Sequence, residues 1–206
     1  MKKAYVFLAA IGLTCLGSNA SFAQQQEYTS QQLETLKQAA TQGDVASQEN
    51  LGQIYQFGKF GVKKNLFTAR DWYEKAAAKG GVVAMINLGN MYQKGDAIPQ
   101  DYAKAKALFE QAASKDNPIA EYNLGVMYQD GKGIKKDYPK AMEYYQKAAA
   151  QGYGNAYNNI GILYQDGLGV HKTKSAALDN FKQACLNDSH QGCENYKKFE
   201  KQDTKK

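Results

Sequence analysis

Apolar residues recur along most of the chain at three- and four-residue steps, which is the spacing of one face of an α-helix. One such run comprises Ala69, Trp72, Tyr73, Ala76 and Ala77. A second type of run follows it in Ala84, Leu88, Met91 and Tyr92. Both types then return further along the chain, in Ala105, Leu108, Phe109, Ala112 and Ala113 and in Ala120, Leu124, Met127 and Tyr128. The pattern predicts pairs of amphipathic helices joined by short polar segments.

These helix pairs are copies of one unit. Segments 66–101, 102–137 and 138–173 are each 36 residues long and read as helix, turn, helix and glycine-bearing loop. Segment 31–65 has the same pattern with one extra loop residue, and segment 174–196 stops after its second helix. Such regularity predicts an all-α solenoid of about five helical hairpins, because one hairpin cannot bury both of its faces alone. We expect a right-handed superhelix with a concave and a convex surface.

Two kinds of residue form a ladder through the repeats. The asparagines, 37, 36, 36 and 36 residues apart, are Asn50, Asn87, Asn123, Asn159 and Asn195. The glycines, two positions behind the first four, are Gly52, Gly89, Gly125 and Gly161. The asparagines either line a groove that holds a peptide backbone or satisfy backbone groups of their own or a neighbouring loop. We favour the structural interpretation because an asparagine accompanies every repeat.

The glycines, with Ala76 and Ala77, are small enough to let the helices approach closely, and the aromatic residues then fill the space between units.

Helix ends are marked by side chains that suit them. Asn65, Asp101, Asp137 and Thr173 precede the first helices and can accept hydrogen bonds from free backbone N–H groups. Thr29 with Gln32 is typical of a capping box. Glycines that suit the left-handed end of a helix stand at 58, 95, 131 and 167.

Residues 141–152, which contain Tyr-Tyr-Gln-Lys-Ala-Ala-Ala-Gln-Gly, and residues 158–170, Asn-Asn-Ile-Gly-Ile-Leu-Tyr-Gln-Asp-Gly-Leu-Gly-Val, resemble a Sel-one-like repeat. That family is a longer-looped relative of the tetratricopeptide repeat, and the 36-residue period favours it. The resemblance covers about residues 31–196. One loop departs from it, since Gly-Asp-Ala-Ile-Pro has Ala97 where a second glycine usually stands.

The first residues have the three-part pattern of a secretory signal peptide. Met1-Lys2-Lys3 is positive, Ala4 to Leu16 is an uncharged apolar run, and Ser21-Phe22-Ala23 precedes a cleavage site after Ala23. The run is shorter than the roughly 20 residues of a membrane-spanning helix. An uncleaved anchor, or a lipid anchor on Cys15, is the alternative. We expect a periplasmic or secreted protein with a flexible N-terminus at 24–30 and no stable membrane insertion after cleavage.

Removal of residues 1–23 leaves two cysteines, Cys185 and Cys193. An even pair in an exported chain is typical of one disulfide, with two free thiols as the alternative. The pair also resembles the cysteine-rich members of the family, in which each hairpin carries such a bond. Here only the last hairpin has it.

Charge and composition exclude several function classes. The formal charge is +6, but Arg70 is the only arginine and the lysines are scattered, so we expect no nucleic-acid partner. His171 and His190 lack the spacing of a metal site. Motifs of nucleophilic, nucleotide-binding and β-lactamase sites are missing from the sequence. We therefore predict no enzyme activity, no cofactor and no metal.

Residues 197–206 look like a frayed helix end and a basic tail, which either aids solubility or touches anionic lipid or an acidic partner.

We expect a non-catalytic protein that binds another protein and is monomeric when free, and the resemblance implies a scaffold or adaptor role. Outward positions of the first helices vary between units and form the candidate partner surface, namely Lys37, Arg70, Asp71, Glu74, Lys75, Glu110, Gln111, Glu143, Gln146 and Lys147. We expect them to face the concave side or solvent, with Trp72 in the core. The resemblance leaves two other functions open. One is an immunity protein that inhibits a toxin or envelope enzyme, and the other is a protein that binds β-lactams or peptidoglycan fragments.

Overall fold

The computed structural model describes residues 30–203, with side chains to residue 201. This part of the chain is built from α-helices and contains no strand. The helices are α1 (Ser30–Thr41), α2 (Val45–Phe57), α3 (Leu66–Ala78), α4 (Val82–Lys94), α5 (Tyr102–Ala113), α6 (Pro118–Asp130), α7 (Tyr138–Ala150), α8 (Gly154–Asp166), α9 (Lys174–Leu186) and α10 (His190–Asp203). The predicted all-α repeat solenoid is confirmed.

Each helix packs on its neighbours in sequence, and the even-numbered helices also approach one another across repeats. Thus α2 contacts α4, and α8 contacts α10. Helices on the inside of a curved stack lie closer together than those on the outside. The even-numbered helices therefore line the inner, concave face, and the odd-numbered helices form the outer face.

The predicted helix caps are confirmed at three of four positions. Asn65, Asp101 and Asp137 accept hydrogen bonds from backbone N–H groups in the first turns of α3, α5 and α7. The prediction for Thr173 is wrong, because its hydroxyl donates to the backbone oxygen of His171 instead. Thr29 of the predicted capping box lies outside the described residues.

The loops that follow the even-numbered helices share one closure. The glycine after α2, α4, α6 and α8 has a left-handed φ, as predicted. The N-cap residue of the next helix then donates its backbone N–H to a tyrosine carbonyl near the end of the even-numbered helix. The bonds are Asn65 to Tyr55 (2.8 Å), Asp101 to Tyr92 (2.9 Å), Asp137 to Tyr128 (2.9 Å) and Thr173 to Tyr164 (3.1 Å). Each loop is thus held by main-chain atoms, which many sequences can supply.

Ala97 occupies the loop position at which Gly133 and Gly169 stand in the next two repeats. Its φ of 60° is left-handed, close to the 70° of both glycines. The departure noted in the sequence therefore changes the residue and leaves the path of the loop intact.

The glycine ladder receives aromatic rings from the helices that follow. A Cβ on Gly89 would lie 2.6 Å from the ring of Phe109, and one on Gly125 would lie 2.5 Å from that of Tyr145. Gly52 faces Tyr73 and Gly161 faces Phe181 in the same way. These four rings are fully buried. The expected close approach is present, and its purpose is to admit a large ring beneath each glycine.

The predicted signal peptide and most of the flexible segment 24–30 lie outside the described residues. Residues 197–203 of the predicted basic tail belong to α10, so they continue the helix. Among the described helices, none is long and apolar enough to cross a membrane.

Candidate functional site

The inner face carries the asparagine ladder on α2, α4, α6, α8 and α10. Asn50 is exposed and the other four are partly buried. The ladder divides into two parts that differ in their hydrogen bonds, with Asn159 and Asn195 in one and Asn50, Asn87 and Asn123 in the other.

In the C-terminal part the amides are engaged. Asn195 donates to Asn158 (2.7 Å), and Asn158 donates to Asn159 (3.3 Å). Asn159 also hydrogen-bonds with the side chains of Tyr122 and Tyr145. Burial raises the pKa of the Tyr122 phenol, and the hydrogen bond to Asn159 offsets part of that effect. These asparagines bond to side chains, whereas the structural interpretation expected backbone groups.

In the N-terminal part the amides are free of such bonds. The side chains of Asn50 and Asn87 make no hydrogen bond within residues 30–201, and the buried Nδ2 of Asn123 has no partner there either. One helical turn before Asn87 and Asn123 stand Val83 and Ile119, with exposed fractions of 39% and 40%. We call Asn50, Asn87, Asn123, Val83 and Ile119 the amide–aliphatic strip. Its composition, apolar side chains beside unpaired amides, suits contact with a polypeptide.

The predicted partner surface lies on the odd-numbered helices, hence on the outer face rather than the concave one. Most of its charges are paired along the same helix. The pairs are Lys37 with Glu34, Arg70 with Asp71 and Glu74, Glu110 with Lys106, and Glu143 with Lys140 and Lys147. Gln111 and Gln146 are exposed beside them. Mutual pairing leaves this face with little net charge to attract a charged partner.

Trp72 is partly buried against the cluster formed by Ala40, Leu51 and Ile54, where the sequence predicted a core residue. The Lys75 ammonium lies 4.4 Å from the centre of its ring. Because the ring packs on this cluster and the Lys75 ammonium lies over it, Trp72 is no exposed anchor for a partner.

Glu121 is a buried carboxylate that the sequence analysis did not single out. It lies in the first turn of α6 with an exposed fraction of 6%, and Gln151 donates to its Oε2 (2.7 Å). Burial raises its pKa above the usual value for a glutamate, and Asp116 adds to the shift. The sequence contained a signal for this burial, because Met85 and Tyr157 stand at the same register position in other repeats. A carboxylate among such large, largely apolar side chains marks a buried position.

Cys185 and Cys193 are placed for a disulfide across the last hairpin, with their Cα atoms 4.3 Å apart. The equivalent positions of the first hairpin are Ala40 and Gln48, where Gln48 Nε2 donates to the Ala40 carbonyl (2.9 Å). The first and last hairpins are therefore both tied at the same register, one by a hydrogen bond and the other by sulfur.

Groups of histidine, cysteine and carboxylate side chains able to hold a metal ion do not occur within the described residues. His190 is 90% exposed and lies 3.8 Å from Glu194 on the same helix.

A family model for the Sel1 repeat matches residues 45–81, 82–117, 118–153 and 154–189 without a gap. Each matched repeat begins on an even-numbered helix, whereas the units predicted from the sequence begin on odd-numbered helices. No curated protein matches the chain.

Two solved structures resemble the chain over most of its length. One is a protective antigen of uropathogenic Escherichia coli strains that displays an SLR fold. It is 36% identical, with a TM-score of 0.72 over 78% of this chain and 34% of its own, so the present chain spans about a third of it. The other is a Sel1 repeat protein from Oxalobacter formigenes, 31% identical, with a TM-score of 0.69 over 78% of this chain and 71% of its own.

Sel1 repeat proteins are generally non-catalytic helical scaffolds that mediate interactions between proteins. Four consecutive matched repeats span more than two thirds of the sequence, and the helices of the structure have the register that these repeats require. The chain belongs to the Sel1 repeat family.

Proposed function

We propose that this protein is exported from the cytoplasm and acts as a non-catalytic scaffold, which binds an extended segment of another protein on the amide–aliphatic strip. Family membership supports the scaffold role. The observation that carries the binding site is the row of unpaired amides of Asn50, Asn87 and Asn123 beside exposed Val83 and Ile119.

The chemistry of the strip suits a peptide backbone. A primary amide offers both a donor and an acceptor, as the backbone does, so each asparagine can pair with one peptide unit. A buried amide without a partner is unfavourable by about 1–3 kcal/mol, and a bound segment would relieve that penalty at Asn123. Val83 and Ile119 would contact the apolar side chains of the segment.

Site-specific photocrosslinking tests this proposal. A photoreactive phenylalanine analogue placed at Val83 should capture one defined partner in envelope extracts, and the same analogue at Ala107 on the outer face should not. The double variant Asn87→Ala/Asn123→Ala should lose the crosslinked product, while the matched outer-face variant Glu74→Ala/Glu110→Ala keeps it. Capture from Ala107 alone would move the site to the outer face and contradict the proposal.

The identity of the captured partner separates the scaffold from the inhibitor. A partner enzyme whose activity falls in proportion to added protein would establish an immunity or inhibitor role. A fluorescent penicillin that labels the purified protein would instead establish β-lactam binding. A partner with unchanged activity, held together with a third protein, is the result expected of a scaffold.

Export has its own test. The pattern of residues 1–23 predicts that protein recovered from the envelope fraction begins at Gln24. Intact mass spectrometry of the non-reduced protein should also give a mass lower by two hydrogens than that of the dithiol. Recovery of a full-length cytoplasmic chain in which all three cysteines are alkylatable would reject both expectations.

A further inference from the structure

A cavity of about 780 Å³ opens at the C-terminal end of the stack. Its walls come from α8, the loop after α8, the start of α9, and α10. Ile162 and Phe199 supply apolar surface, and Lys172, Lys174 and Lys198 stand around them.

The position of the cavity follows from the repeat. In an inner repeat, the loop after the even-numbered helix rests on the first residue of the preceding odd-numbered helix. A Cβ on Gly169 of the loop after α8, for example, would lie 2.6 Å from the Cβ of Tyr138, the first residue of α7. The same loop packs Leu168 and Val170 against the core.

At the end of the stack no described loop covers the equivalent residue, Lys174 of α9, and this residue lines the cavity. Phe199 is only partly buried there, whereas Met91, Met127 and Leu163, its counterparts in earlier repeats, are almost completely buried. The cavity is thus shaped to receive an extended segment that carries an apolar side chain, as the inner loops do.

The charge of the cavity restricts what that segment can be. Its lining holds one carboxylate, that of Asp166, and two lysines besides Lys174, which already has an interaction of its own. Lys172 and Lys198 form no ion pair with a described carboxylate, in contrast to most charges of the outer face. Lys198 is also peculiar to the last repeat, since Gln53, Asn90, Val126 and Ile162 occupy its register position in the others.

We propose that this cavity binds an extended acidic segment of another protein, in which an apolar side chain lies on Phe199 between carboxylates that face the lysines. The side chains of Gln165 and Gln191 also line the cavity, and their amide oxygens can accept hydrogen bonds from the backbone of the segment. The end of this chain is unsuited as an occupant, because Lys205 and Lys206 carry the same charge as the cavity. The site is separate from the amide–aliphatic strip and does not depend on it.

Fluorescence anisotropy with short labelled peptides tests the proposal on protein that begins at residue 24. Fluorescein-labelled Glu-Leu-Glu-Leu-Glu should bind saturably in low salt and more weakly in physiological salt. Lys-Leu-Lys-Leu-Lys and Glu-Ser-Glu-Ser-Glu should bind at least about tenfold more weakly, because one lacks the charge and the other the apolar side chains.

Two adjacent lysines of α10 provide the matched control. Lys198 lines the cavity, and Lys197 is exposed beside it on the same helix without lining it. Lys198→Glu should weaken binding of the acidic peptide about tenfold, and Lys197→Glu less than about twofold, since only the former places a carboxylate beside the ligand. Unchanged circular dichroism would verify that both variants are folded.

Three results would overturn the proposal. The first is the absence of saturable binding of the acidic apolar peptide. The second is an equal loss of affinity in Lys197→Glu and Lys198→Glu, which would indicate nonspecific attraction to basic surface. The third is loss of binding in Asn87→Ala/Asn123→Ala, which would place the peptide on the strip.

Discussion

Gly89 lies beneath the ring of Phe109, so the absence of one side-chain carbon sets the distance between α4 and α5. Gly52, Gly125 and Gly161 make the same contact in their own repeats. The rings are completely buried, and their neighbours are tightly packed residues such as Leu124 and Met127. A side chain at the glycine therefore has to displace a ring that has no room to move.

We predict that Gly89→Ala destabilises the protein. The added methyl group would lie 2.6 Å from the Phe109 ring. Overpacking of this kind typically destabilises a protein by about 1–3 kcal/mol, more than alanine gains in helix propensity. Thermal unfolding followed by circular dichroism should show a decrease in Tm of roughly 2–12 °C. In the double variant Gly89→Ala/Phe109→Leu the smaller side chain leaves space for the methyl group, and part of the lost stability should return.

A second prediction at this scale concerns Glu121. Burial raises the pKa of its carboxyl group in the folded protein, so the native state binds the extra proton more tightly than the unfolded state. Its contribution to stability is fully present below the unfolded pKa and is lost as the pH rises through the higher folded pKa. At pH 7 the buried charge is a penalty that the Lys147 charge and the hydrogen bond from Gln151 only partly relieve.

Glu121→Gln should therefore raise Tm at pH 7 by about 2 °C, the shift expected from roughly 0.5–1 kcal/mol in a domain of this size. At pH 4 the difference from wild type should shrink. Asp44 and Glu143 have lowered pKa values and act in the opposite sense, so the informative quantity is the difference between variant and wild type at each pH. A variant less stable than wild type at pH 7 would contradict this account.

At the scale of the element, the last hairpin depends on a cross-link more than the others do. The helix α10 packs on α9 and more weakly on α8, and none of its large apolar side chains is fully buried. Closing the short loop between Cys185 and Cys193 contributes roughly 2–3 kcal/mol by restricting the unfolded chain. The disulfide thus ties α10 to α9 where the apolar packing of α10 is incomplete.

We predict that Cys185→Ser/Cys193→Ser loosens α10 before the rest of the stack unfolds. Limited proteolysis should cut first within 187–203, whereas the wild type resists cleavage there. Wild type treated with reductant should behave like the double variant and serves as the control. Equal resistance of oxidised and reduced protein would show that packing alone holds α10.

Element boundaries were largely predictable because they depend on local chemistry. Asn65, Asp101 and Asp137 begin helices through their own side chains, and glycine at 58, 95, 131 and 167 ends them. The start of α4 was less readable, since its N-cap Gly81 has no side chain and Glu49 of α2 accepts from Ala84 N–H instead. A cap supplied by a neighbouring helix leaves no local trace in the sequence.

At the scale of the whole molecule, each repeat is supported by its neighbours, so stability should vary along the stack. Within residues 30–203, each of α2 to α9 has packed helices on both sides, while α1 and α10 are packed on one side. We predict that native-state hydrogen exchange will be slowest in α4 to α8 and fastest in α1 and α10. Uniform protection from α1 to α10 would indicate a single cooperative unit instead.

The face that we propose for binding could not be assigned from the sequence. Variation between units favoured charged outward positions, such as Glu74, Lys75 and Glu110, as the partner surface. The structure places them on the outer face, where many charges pair with one another. Asn123 and Asn159 look equivalent in sequence, but only Asn159 finds tyrosine partners. Pairing across repeats, which the periodic pattern does not encode, separates them.

The glycine beneath each ring joins residues about twenty positions apart, such as Gly89 and Phe109. Contacts of this kind give a low contact order, so folding can start in any pair of adjacent repeats and spread both ways. The stretch from one glycine to the next also contains one aromatic ring and one glycine that leaves space for such a ring. A recombination event between two glycines would add or delete a whole unit while leaving every junction intact, which makes the number of repeats easy to change in evolution.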